Sequence, residues 1–100
     1  MSGESRTASR AMLDALDQAI VTVRRLEAGG MRTVTGRPAA QLLGELLAEL
    51  TARRAEVAAG GQIDREWAGR LVRGVAAWVP DDELPLLARL GALVRASGQA

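Results

Sequence analysis

The chain predicts an all-α protein: a compact four-helix bundle or orthogonal helical array, with helices at about 7–28, 38–59, 64–79 and 82–96. Three observations predict it. The 48% apolar content is largely Ala and Leu, which are strong helix formers, and there is no Phe or Tyr. Apolar residues recur at three- and four-residue spacing in four separate segments. Helix-stopping residues stand between those segments: Gly29-Gly30, Gly60-Gly61 and Pro80.

The first segment places Met12, Leu13, Leu16, Ala19, Ile20, Val23 and Leu26 on one face, with Val21 opposite. Arg10 and Asp14 are spaced as an i,i+4 pair. Residues 1–6 are small and polar, and a disordered tail is expected there. After the Gly29-Gly30 cap, MRTVTGR over 31–37 predicts an extended loop with Met31 or Val34 against the core. Its β-formers have no partner strand. Pro38 suits an early position of the second helix, where a missing N–H is harmless.

The second helix has the densest apolar face. Ala39, Leu42, Leu43, Leu46, Leu47, Leu50 and Val57 cover an arc of about 140°, wide enough for two neighbours. Glu45, Glu49 and Glu56 fall on the outer side, with Glu49 and Arg53 spaced for an ion pair. Arg54 lies beside the stripe, where its stem can run along the core edge.

The third helix, IDREWAGRLVRGVAAWV, carries the only two aromatic residues, Trp67 and Trp78. They are three turns apart and project from nearly the same line, and both are expected as anchors of a core or an interface. Asp64 predicts an N-cap and Glu66 favours the same helix end. Gly69 and Gly74 are unfavourable in a helix interior, and close approach by a neighbouring helix would explain them. In the PDDELP stretch, Asp81 and Asp82 predict the cap of the fourth helix. That helix sets Leu86, Leu87, Leu90, Leu93 and Val94 on one face. Residues 7–96 therefore read as one domain, with 97–100 frayed.

Composition excludes several chemistries. With no Cys and no His, the chain has no disulfide, thiolate nucleophile or imidazole base, and almost no route to a zinc site. Asp14 and Asp17 sit one turn apart but have no second carboxylate pair to complete a metal site. No metal or cofactor is expected, and no catalytic residue set is assigned. The net charge of +1 gives no global field for nucleic acid or membrane. No apolar run reaches membrane-spanning length and the first residues lack an apolar signal core, so a cytoplasmic location is expected. All basic residues are Arg, a composition that suggests a GC-rich bacterial genome.

One sequence cluster is a candidate anion site: Arg24, Arg25, Arg32 and Arg37, which flank the loop leading to the N-terminus of the second helix. Arginines at the end of a helix also suit its dipole, so a purely structural role already explains Arg24 and Arg25 without a ligand. Capping explains the acidic Asp81, Asp82 and Glu83, and solvation explains Arg65, Arg70 and Arg73.

Arg10, Leu13 and Asp17, followed by GQIDREWAGRL in the third helix, are similar to a pattern in the all-helical chorismate mutases. The resemblance implies that Arg10 would contact a substrate carboxylate. The chain departs from that family in having no Lys to match its catalytic one, and in the Gly29-Gly30 break. The resemblance is therefore not membership.

The sequence is best read as a small non-catalytic helical module for protein interaction or oligomerisation, with a protein partner or a second copy of itself. The alternative is a small-anion or substrate-binding helical protein, mutase-like in the sense above, that uses the Arg-rich loop.

Overall fold

The computed structural model describes residues 2–29, 38–79 and 84–97. They form four α-helices: α1 (Ser2–Gly29), α2 (Ala39–Ala58), α3 (Arg65–Ala76) and α4 (Leu84–Ser97). No strand occurs among the described residues. The all-α expectation holds, and the shape distinguishes between its two forms. The molecule measures 48 × 19 × 17 Å. A 20-residue helix such as α2 is about 30 Å long and cannot lie across a section that narrow. The long helices therefore run along the molecule, as in a bundle.

α1 packs against α2 and α4, and α4 packs against α3. The centre is built from leucine. Leu16 of α1, Leu43 and Leu50 of α2, and Leu86, Leu90 and Leu93 of α4 are each at most 1% exposed. These positions are the i, i+4 and i+7 members of the stripes read from the sequence. No polar or charged residue is buried among the described residues.

Several boundaries differ from expectation. α1 starts at Ser2, not near Thr7. Residues 2–6 contain no proline, and Gly3 falls in the first turn, where amides lack intrahelical partners in any case. α3 ends at Ala76 and not at Val79, which places Trp78 in the following turn. The N–H groups of Trp78 and Val79 both donate to the Val75 carbonyl, at 3.1 and 3.0 Å. Pro80 disfavours helical dihedrals at Val79 and so sets this limit. Pro38 is the N-cap of α2, with its carbonyl accepting from Gln41 and Leu42. The extended loop over 31–37 and the acidic cap at Asp81 and Asp82 lie outside the described residues, as do 98–100.

The Gly60-Gly61 stop is fully formed. Gly60 has φ 101°, its N–H donates to Val57 O at 3.0 Å, and Gly61 N–H donates to Glu56 O at 2.8 Å. This pair of bonds is a Schellman closure. The two glycines have separate reasons to be there. Gly60 occupies the left-handed region, and a Cβ on Gly61 would stand 2.9 Å from the Glu56 carbonyl oxygen. Asp64 then caps α3 by accepting from Glu66 N–H at 3.0 Å.

Gly69 and Gly74 correct an expectation. Among the described residues no neighbouring helix approaches either one: a Cβ at Gly69 would meet only Arg73 of its own helix, and one at Gly74 would meet no described residue within 4 Å.

Candidate functional site

Around the bundle, α1 packs on α2 and α4, and α4 on α3, while the circuit is closed only by side-chain contacts between α2 and α3. Their facing edges leave a groove of about 380 Å³. It exists because the arc of α2 is wider than one neighbour can cover. Leu43 and Leu50 turn into the core, while Leu42 and Leu46, one helical step to the side, reach the groove. Leu71 and Val75 of α3, again i and i+4, complete an apolar floor, and Trp78 joins them from the turn after the helix. Glu45 and Glu49 line the α2 side, and Arg70 and Gly74 the α3 side.

The two tryptophans have different surroundings. Trp67 is 9% exposed, and its indole N–H donates to Glu49 Oε1 at 2.8 Å. The Arg53 guanidinium lies over the same ring, 5.2 Å from its centroid, a cation–π arrangement. Arg53 is in turn held by Glu56, with Nη1 2.9 and 3.2 Å from the two carboxylate oxygens, and by Glu49 at 3.8 Å. Trp67 is thus fixed on its edge and its face by side chains of α2, and the network reaches the groove through Glu49. Trp78 is half-buried and lines the groove itself.

Glu49 was expected on the outer side of α2 and paired with Arg53. The pair is present, though Arg53 lies closer to Glu56, and Glu49 also serves the indole. Arg54 reaches across to α1, where its Nε donates to Asp17, with a second contact from Nη2 at 3.5 Å. Asp17 raises the Arg54 pKa, first through the hydrogen bond and then through its charge. A second link between helices runs from Arg89 of α4 to Gln18 of α1. Arg10 and Asp14 are exposed and not paired with each other.

The Arg-rich cluster is only partly described. Arg24 and Arg25 are exposed near the end of α1 and have no ion-pair partner among the described residues, while Arg32 and Arg37 lie outside them. Neither Arg24 nor Arg25 lines the groove. Among the described residues no group of His, Cys, Asp or Glu could hold a metal ion, and no helix is long and apolar enough to cross a membrane.

Sequence reasoning found both tryptophans but missed the groove. One signal could have pointed to it: the width of the α2 stripe.

The fold and the groove define a small all-α bundle with an open cleft between two of its helices. Comparison with known proteins finds no matching family model, no similar curated protein and no similar solved structure.

Proposed function

We propose that this protein is a small non-catalytic interaction module that receives another polypeptide in the α2/α3 groove. One observation carries the reading. An open groove between charged walls has an apolar floor of Leu42, Leu46, Leu71, Val75 and Trp78, of which Leu71 and Trp78 are partly exposed. That is the pattern which accepts the apolar face of a helix and pairs the charges flanking it. The absence of Cys and His from the sequence supports binding over chemistry.

Site-specific photocrosslinking in the source cell tests the reading. A photoreactive residue at Gly74 is expected to capture a polypeptide, while the same probe at exposed Asp14 on α1 captures none. Equal labelling from both positions, or none from Gly74, would sink it.

A small-anion site is the second reading, favoured by the exposure of Arg24 and Arg25 and by their having no ion-pair partner among the described residues. It ranks below the groove because the C-terminal end of α1 presents carbonyls, which disfavour an anion. If it holds, phosphate or a dicarboxylate raises the melting temperature of the wild type but not of an Arg24→Ala/Arg25→Ala variant.

A further inference from the structure

Three features leave α3 with less to hold it than the other helices. Its interior carries Gly69 and Gly74, and no neighbouring helix among the described residues requires either. Each lowers helix stability through backbone entropy without a gain in packing. At 12 residues α3 is also the shortest of the four helices, a length that is marginal in water without packed neighbours. Its share of the core is small as well. Trp67, Ala68 and Val75 are buried, whereas α1, α2 and α4 share a layer of leucines at most 1% exposed.

The two sides of α3 are held differently. Toward α4 the backbones pack closely. Toward α2 the contact is made by side chains: the Trp67 indole N–H donates to Glu49, and Arg53 covers the face of the ring. Ile63 and Val79, just beyond the two ends of α3, are buried and tie those ends to the core.

We infer that α3 is a latched segment. It melts and re-forms between the anchors at Ile63 and Val79 while α1, α2 and α4 stay packed, and the clasp of Glu49 and Arg53 on Trp67 sets the balance. The inference is independent of whether the groove receives a partner.

The rest of the bundle can stand during such an opening. α1 packs on both α2 and α4 and makes no close approach to α3 among the described residues, so the leucine layer keeps its α1 contacts. A segment with few buried apolar contacts opens at a lower free energy than the whole molecule unfolds. The clasp opposes the opening and also favours its reversal. Arg53 is held by Glu56 as well as by Glu49, so α2 retains its half of the clasp when the ring leaves. The groove then has one fixed wall and one movable wall. The α2 wall, with Glu45 and Glu49, stays, while the α3 wall, with Arg70 and Leu71, comes and goes.

Native-state hydrogen exchange of the full-length chain, read amide by amide by NMR, tests the inference. After correction for intrinsic rates, amides within α3 such as those of Leu71 and Val75 should exchange about tenfold or more faster than the most protected amides of α1, α2 and α4. Three substitutions locate the opening. Ile20→Val, on a helix with no close approach to α3, should speed the core amides by about two- to tenfold and leave those of α3 unchanged. Gly74→Ala should slow the α3 amides by about fivefold, the ratio set by helix propensity. Glu49→Ala, which removes the acceptor of the indole from the half-exposed surface of α2, should speed them by about threefold or more. Exchange of α3 at the rate of the core overturns the inference, as does an Ile20→Val effect of equal size in α3 and in the core. An α3 insensitive to Gly74→Ala or to Glu49→Ala overturns it too.

Discussion

Trp67 and Trp78 occupy equivalent lines on an ideal helix but not in the folded protein. Trp67 is enclosed and bonded on both edge and face, whereas Trp78 falls past the end of α3 and borders the groove. Trp67→Ala should therefore cost about 3–5 kcal/mol of unfolding free energy, the range for a buried aromatic. Trp78→Ala should cost about 1–2 kcal/mol, because that ring is only partly buried. Urea titration of the two variants at a concentration that keeps them monomeric checks the order. Equal losses would show that Trp78 is as much a core residue as Trp67. Emission should separate them as well: with Trp67→Phe, the remaining tryptophan is the more accessible to quencher.

At the scale of the elements, the join between α2 and α3 carries the firmest local information. Gly60 is held at φ 101°, where a side chain is strained, so Gly60→Ala should destabilise by about 1–2 kcal/mol. Asp64→Ala removes the cap on Glu66 N–H and should cost about 0.5–2 kcal/mol. Thermal melts read both, and a neutral Gly60→Ala would mean that the turn relaxes out of its left-handed conformation. Gly60, Gly61 and Asp64 were legible in the sequence because caps act within a few residues of the chain. The end of α3 was less legible. The apolar spacing continues through Trp78 and Val79, and only the influence of Pro80 on its preceding residue stops the helix early.

At the scale of the molecule, the polar links between helices seen among the described residues are partly solvated. The Asp17–Arg54 pair ties α1 to α2 with both side chains more than a third exposed, at 49% and 43%. Its double-mutant coupling should shrink as salt is raised; a salt-independent coupling would show that it is better shielded than its exposure indicates. The principal adhesion is the leucine layer shared by α1, α2 and α4. Leu90→Ala, at a position 0% exposed, should cost about 2–5 kcal/mol in the same urea titration. α3 depends on α4 and on its tryptophan network with α2, which leaves the α2/α3 edge open.

The sequence by itself determined the four helices, their apolar stripes, the Gly60-Gly61 closure, the Asp64 cap and the spacing that lets Glu49 pair with Arg53. Each of these follows from dihedral preference or from a period of 3.6 residues, and both act over one or two turns. Only the tertiary structure decided which edge of the α2 arc borders the groove, that Glu49 meets the indole of Trp67, that Arg54 reaches Asp17, and that Gly74 has no side-chain neighbour among the described residues. Those facts depend on which helices become neighbours. A stripe shows that a face is to be buried but carries no record of what buries it.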